Sequence, residues 1–206
     1  MSKDLMIQLE RISQLVGHCG PASVSMMLRF FGEEVNQNEI VVQAGLSESI
    51  ENIGSRMDQV SLALSKLAPT YIMLGKFLCT EDDIDTVVNR VQIPLGVEWQ
   101  GIFENSSQGR FEIGHYSVIN GYSKASKDFS LVDPDDESVY SNGSIPKEVF
   151  LPRWWETNIM NDGKRYSSQR FSFVVIPKNH ENQLRQLGFR SITHKFILDF
   201  SNPAQQ

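Results

Sequence analysis

Apolar residues recur with a helical period at two places in the first third of the chain. Val24, Met27, Leu28 and Phe31 fall at i, i+3, i+4 and i+7, one stripe of a 3.6-residue helix, and Gly32 follows where such a helix would stop, so residues 21–31 are expected to be helical. Met57, Val60, Leu64 and Leu67 make a second stripe that ends before Ala68-Pro69, because the residue ahead of a proline is pushed out of the helical region. Residues 70–74 read as a buried strand. Residues 81–91 read as a helix with Thr80 as its N-cap and an acidic first turn that suits the positive end of the helix dipole. Beyond Pro94 the texture changes to short β-rich runs over residues 95–99, 113–122, 129–132 and 171–176. Residues 134–170 form a long, polar, turn-rich excursion that still holds Val149, Phe150, Leu151, Trp154 and Trp155. A short helix is expected over residues 181–187, a last apolar piece over 196–200, and fraying from Ser201. Helices first and strands later fit an α+β fold, with N-terminal helices packed on a mainly antiparallel sheet. The main domain is expected to span residues 1–177, with residues 178–206 as a C-terminal extension.

Composition narrows the partners more than the fold. The 206 residues are 40% hydrophobic and 21% charged, and 19 Lys plus Arg against 25 Asp plus Glu give a net charge of −6. No basic run supplies a nucleic-acid footprint or a polybasic membrane patch, so no nucleic-acid partner is expected. No stretch of about 18 apolar residues offers a membrane span, and residues 1–16 do not read as a signal peptide, since Asp4, Glu10 and Arg11 interrupt the apolar positions. Two cysteines, Cys19 and Cys79, cannot form a disulfide framework, which points to a reduced, cytoplasmic setting.

The candidate chemistry begins at Gly17-His18-Cys19-Gly20-Pro21, where a thiol stands at the first turn of the clearest helix. Unpaired N–H groups and the helix dipole favour thiolate over thiol, and thiolate is the nucleophile. The plain alternative is a small apolar residue at a helix start. A nucleophilic cysteine needs a base and a group to orient it. Of the four histidines, His18 adjoins Cys19 with a diverging side chain and His180 and His194 lie in the polar C-terminal part, whereas His115 sits in the strand-like Gly114-His-Tyr-Ser-Val-Ile-Asn-Gly121. Gly114 would let another backbone come close. Residues 123–128 read as a turn, so the next strand, which ends at Asp133-Pro134, forms an antiparallel hairpin with the first. If Asp133 pairs with His115 or with Ser117, the imidazole and carboxylate are neighbours within about 8 Å. A shifted register would substitute Asp135, and Asp136 is a further option.

Three segments, Cys-Gly-Pro-Ala-Ser-Val-Ser-Met-Met-Leu-Arg-Phe-Phe-Gly from Cys19, Gly-His-Tyr-Ser-Val-Ile-Asn-Gly-Tyr from Gly114 and Leu-Val-Asp-Pro from Leu131, resemble the double-glycine leader (bacteriocin-processing) cysteine peptidases and their stand-alone relatives, in the papain-like superfamily. The resemblance spans about residues 10 to 176. It implies a papain-like fold with Cys19 as nucleophile, His115 as general base and acid, Asp133 orienting the imidazole, Gln14 as oxyanion donor, and a peptide or protein as substrate. One departure stands out. The family places its oxyanion-hole glutamine five intervening residues before the cysteine, and Gln14 has only four. Either the loop is one residue shorter or the position belongs to Ser13 and the hole is impaired.

Two further readings follow from the same residues. A catalytically inactive peptide-binding module would explain the displaced glutamine, and a phytochelatin-synthase-like γ-glutamylcysteine transpeptidase would share the Cys-Gly-x-Ala-Ser start. Metal and cofactor readings lack motifs: there is no Cys-x-x-Cys, no His-Glu-x-x-His and no glycine-rich phosphate loop. The acidic run Asp133-Pro-Asp-Asp-Glu137 lacks the spaced ligands of a calcium loop and reads as a solvated turn. Trp99, Trp154 and Trp155 are expected in the core more than in a peptide groove. The sequence is silent on oligomeric state.

Overall fold

A computed structural model of the chain describes residues 6–159 and 165–200, so the expected fraying from Ser201 lies outside the described residues. The first periodic stripe is helix α1 (Cys19–Phe30), and Gly32, with φ +80°, stands just past its end in the left-handed conformation that closes helices. The second is α4 (Met57–Leu67). Between them lie two short helices that periodicity did not single out, α2 (Gln37–Gln43), which opens on an Asn36–Glu39 capping box, and α3 (Ile50–Ile53). α1 is buried on more than one side, with Gly20 through Leu28 all shielded, because it has the sheet on one flank and the other helices on the rest. That placement explains Gly20. A Cβ there would stand 2.6 Å from both Met57 Cε and Ser55 Oγ.

Strand β1 (Tyr71–Lys76) precedes α5 (Glu81–Ile84), whose expected cap is present: the Thr80 hydroxyl accepts from Asp83 N–H and Asp83 answers at Thr80 N–H. The helix runs on as a π-helix over Asp85–Val91. Then come the long strands β2 (Leu95–Asn105) and β3 (Gly109–Ser123), followed by β4 (Asp128–Val132) and β5 (Asn142–Pro146). The 134–170 excursion holds β5, the single turn α6 (Lys147–Phe150) and a hairpin of β6 (Trp155–Ile159) and β7 (Arg165–Gln169). Its anchor is Phe150, whose ring lies 5.6 Å from that of Trp99, 5.1 Å from Phe129 and 5.2 Å from Trp154. Such aromatic pairs each contribute about 0.5–1.5 kcal/mol beyond their buried area.

β8 (Ser172–Pro177) returns to the centre, and among the described residues seven strands lie in the order β5-β4-β3-β2-β8-β1-β9, every pair antiparallel. The architecture is therefore α+β with N-terminal helices on an antiparallel sheet, as the order of patterns implies. Residues beyond 177 add β9 (Arg190–Ser191) to the edge of β1, and α7 (Glu181–Gln186) and α8 (His194–Phe200) bury Leu184, Phe196 and Ile197. The Phe196 and Phe200 rings lie 5.2 and 5.0 Å from that of Phe77.

The loop entering α1 is the tightest backbone passage in the structure. Gly17 has φ +75°, and a Cβ on it would stand 2.2 Å from the Ile50 carbonyl oxygen, a backbone atom that cannot turn aside. Gly45 has φ +70° with nothing near the same position. Gly45→Ala is expected to cost about 1–2 kcal/mol from left-handed strain alone, and Gly17→Ala a further ~1–3 kcal/mol from the forced backbone shift. Urea denaturation of both variants checks this; equal losses would contradict the crowding at Gly17.

Candidate active site

Residues 15–18 form a turn, closed by His18 N–H to Leu15 C=O at 2.9 Å, and the first helical bond, Ala22 N–H to His18 C=O at 2.8 Å, follows at once. This places Cys19 at the first helical position with the unpaired N–H groups of the helix start around it. His18 turns back on the same loop: its Nδ1–H donates to the Val16 carbonyl at 2.7 Å, and the ring is buried there. Cys19 remains partly exposed, whereas Cys79 is buried and its thiol is pushed up to about 12 by that burial.

His115 lies on β3 opposite Trp99 of β2, with its ring edge-on to Phe103 at 5.0 Å. β3 and β4 are paired through Val118–Val132, so the next step puts Asp133 across from Ser117 and diagonal to His115. The His115 Nε2–H donates to Asp133 Oδ1 at 2.8 Å, because a carboxylate can only accept. That leaves Nδ1 as the ring nitrogen not engaged by Asp133, and Cys19 is close enough to the imidazole to act on its pKa. Burial pulls the imidazole toward neutrality, yet the Asp133 charge and bond, with Cys19, outweigh it and hold the His115 pKa well above its ordinary value. Burial likewise works against the Asp133 charge, and His115, the Asp135 N–H and Ser117 together bring its pKa below the usual range. This pairing was one of the open register choices, and it is the one the fold adopts.

Asp133 is 0% exposed and every approach to it is occupied. Ser117 donates to Oδ2 at 2.7 Å and is itself held by the Trp99 indole N–H at 2.8 Å, while Asp135 N–H donates to Oδ1 at 2.8 Å. Ser117 and Trp99 were not foreseen as site residues. Ser117 was findable, being two residues from His115 on one strand face. The acidic turn is thus not simply solvated: Asp133 is its buried start, Asp135 binds inward, and Asp136 alone pairs outward with Arg11 at 2.6 Å. The same guanidinium holds the Asp133 and Pro134 carbonyls at 2.6 and 3.2 Å.

Gln14 joins this network at Pro134 and Asp135, and Ser13 only at its exposed edge. Gln14 N–H donates to the Pro134 carbonyl at 2.8 Å, and its Nε2 donates to Asp135 Oδ2 at 2.7 Å. Ser13 is exposed beside Arg11 and Asp136. Asp135, offered by the sequence only as a register alternative, is the acceptor for Gln14. Among the described residues no cluster of His, Cys, Asp and Glu is arranged to hold a metal ion.

Beside the site, the atoms nearest to where a Gly114 Cβ would stand are those of the Glu156 carboxylate of β6, at 1.6 Å, a side chain where the sequence suggested backbone. Behind it Glu98 is buried under the same hairpin, accepting from the Tyr116 hydroxyl at 2.5 Å and the Asn158 amide at 3.0 Å, with Ser168 on its other oxygen. Burial, against those neutral donors, pushes the Glu98 pKa up. Trp99 and Trp154 are buried as expected, and Trp155 of the hairpin is exposed. Burial, and then the Glu98 charge against opposing hydrogen bonds, raises Glu156 to about 7. A carboxyl raised in the fold stays protonated where the unfolded chain has ionised, so its stabilising contribution is lost as pH rises from the ordinary carboxylate range to that value. Glu156→Gln should therefore gain stability relative to the parent between about pH 5 and about pH 8. Urea midpoints at both pH values test it; a difference independent of pH would be contrary.

The family described as Peptidase_C39 like matches residues 6–159. No curated protein sequence matches the chain significantly. Among solved structures, the peptidase domain of Streptococcus ComA, a bifunctional ABC transporter involved in a quorum-sensing pathway, superposes with a TM-score of 0.51 at 15% identity, covering 84% of this chain and 99% of that one. The active wild-type interpain A cysteine protease of Prevotella intermedia reaches a TM-score of 0.40 at 13% identity over 84% of this chain and 92% of that one, too low to add weight. The first shares the fold. With the family match covering well over half of the sequence, the chain belongs to the peptidase C39-like family.

Proposed function

We propose that this chain is a thiol-dependent hydrolase, a cysteine peptidase that cleaves a peptide or isopeptide bond in a peptide or protein substrate through a thioester on Cys19. The observation that carries the reading is the buried His115–Asp133 pair, Nε2 to Oδ1 at 2.8 Å, with Cys19 at the start of α1 close enough to the imidazole to act on its pKa. A cation held there by a buried carboxylate is the counter-ion that a thiolate nucleophile needs. The Cys19 sulfur attacks the scissile carbonyl carbon and forms a C–S bond. Its electron pair passes to the carbonyl oxygen, where the Cys19 backbone N–H and the Gln14 carboxamide are the candidate donors. His115 then gives its Nδ1 proton to the leaving amine as the C–N bond breaks. In deacylation the neutral imidazole takes a proton from water, which attacks the thioester and releases Cys19.

A second reading, an inert peptide-binding module, has one observation in its favour: a hydrogen of the Gln14 amide is already given to Asp135. Turnover decides between them. Cys19→Ala should abolish hydrolysis of any peptide the parent cleaves. Asp133→Asn should remain folded, since the Ser117 hydroxyl can accept from an amide as well as donate, and should lose roughly 100-fold in kcat, less than the ~10⁴-fold of a serine triad because the cysteine is less dependent on its third member. Full activity in Cys19→Ala would end the mechanism.

Thiol labelling supplies an independent check. Iodoacetamide near neutral pH should modify Cys19 at least about 100-fold faster than Cys79, which is buried and whose thiol is pushed to about 12. Comparable rates, read by mass spectrometry on the folded protein, would count against a nucleophile at Cys19.

A further inference from the structure

The glutamine that precedes Cys19 is one residue closer to it than the family spacing, yet its surroundings are more constrained than those of a loop residue. Gln37 brackets its backbone: the Gln37 Oε1 accepts from Leu15 N–H at 2.9 Å and its Nε2 donates to the Ser13 carbonyl at 2.9 Å. Gln14 N–H is fixed to Pro134 C=O at 2.8 Å. With the main chain pinned on both sides, the remaining freedom is the rotation of the carboxamide, a broad torsion with two nearly equivalent orientations. Its Oε1 is buried and has no hydrogen-bond partner among the described residues, so that end prescribes nothing. The other end meets Asp135 Oδ2 at 2.7 Å. A carboxylate only accepts, so it admits the NH2 end and rejects the carbonyl end.

We infer that Asp135 is a positioning residue for the oxyanion hole, fixing the Gln14 carboxamide with one N–H on Asp135 and the second free for the substrate oxygen. This rests on the peptidase reading above. Asp135 is suited to the role because it is itself immobilised: its Oδ1 accepts from Glu137 N–H at 2.8 Å, and its own N–H donates to Asp133 Oδ1 at 2.8 Å. One short segment therefore sets both the imidazole, through Asp133, and the oxyanion donor, through Asp135. On the same turn the Arg11 guanidinium holds the Asp133 and Pro134 carbonyls and pairs with Asp136. The expectation drawn from sequence, that Asp135 matters only if the register shifts, is replaced by a role of its own.

Asparagine at this position cannot serve both donors, since one of its two ends is an NH2 that would face either Gln14 Nε2 or Glu137 N–H. Asp135→Asn and Asp135→Ala should therefore behave alike, each lowering kcat about 10- to 100-fold with KM within about threefold, short of the ~100- to 1000-fold for complete loss of an oxyanion donor. Gln14→Ala/Asp135→Ala should be no slower than Gln14→Ala alone, because the second change acts through a group already removed. Iodoacetamide alkylation of Cys19 builds no oxyanion, so its rate should stay within about twofold of the parent in all four variants, whereas general damage to the site would lower it together with kcat. Unchanged or raised kcat in the single Asp135 variants, additive losses in the double variant, or alkylation falling with kcat would each overturn the inference. If the parent cleaves no peptide, the peptidase reading fails on its own account. The bracket is then read from the Gln14 side-chain amide pair in ¹⁵N-labelled protein: Asp135→Ala should shift it and leave the His115 ring signals in place, and an unmoved pair overturns the bracket.

Discussion

A carboxylate without solvent is an expensive group to keep in a protein interior. Asp133 is such a group, at 0% exposure beside an imidazole that is 4% exposed. An unpaired charge in that position costs several kcal/mol, and pairing compensates only when the remaining lone pairs are also occupied. Here both oxygens are engaged, Oδ1 by the His115 ring and the Asp135 N–H and Oδ2 by the Ser117 hydroxyl. The Trp99 indole supports Ser117 in turn. These groups come from β2, β3 and the turn after β4, so the pair holds only in one register of three strands. A one-residue slip would send His115 and Ser117 to the opposite face and leave the carboxylate buried and alone.

The same turn ties the sheet to the helix that carries Cys19. Arg11 and Gln14 reach the carbonyls of Asp133 and Pro134, and Gln37 at the start of α2 fixes the chain between them. The N-terminal stretch is thus held from the sheet on one side and from the helices on the other. It enters α1 through a turn that only glycine can make at Gly17. The position of Cys19 against His115 follows from these constraints and not from the helix alone.

A second buried carboxylate shows how partner chemistry decides charge. Glu98 is as secluded as Asp133, yet its donors are neutral: a tyrosine, an asparagine and a serine. Its pKa moves up, whereas that of Asp133, facing a cation, moves down. Glu156 lies close enough to Glu98 for their charges to repel, which reinforces the effect of burial. Two adjoining regions of one sheet therefore shift their acids in opposite directions, downward beside His115 and upward beneath the β6–β7 hairpin.

Local pattern was enough for the longest helices and their ends. α1 and α4 carry unbroken apolar stripes, Thr80 is the cap its sequence suggests, and Gly32 ends its helix, because each depends on residues within a turn or two of one another. Shorter helices such as α2 and α3 were missed because one or two turns of chain hold too few apolar positions to establish a period. The candidate cysteine and histidine stood out for a similar reason: a cysteine between glycines near a helix start and a histidine in a strand beside a hairpin are local features. The tertiary structure decided what depends on separate elements being brought together. It chose Asp133 over its neighbours, since only that carboxylate comes diagonal to His115 once the strands are paired. It set Gln14 against Asp135, 121 positions away, where no spacing rule along the chain could place it. It also put a carboxylate over Gly114, where the sequence suggested backbone. Periodicity reports which face of an element is buried; which groups meet across that face is fixed only when register, burial and the pairing of charges are satisfied together.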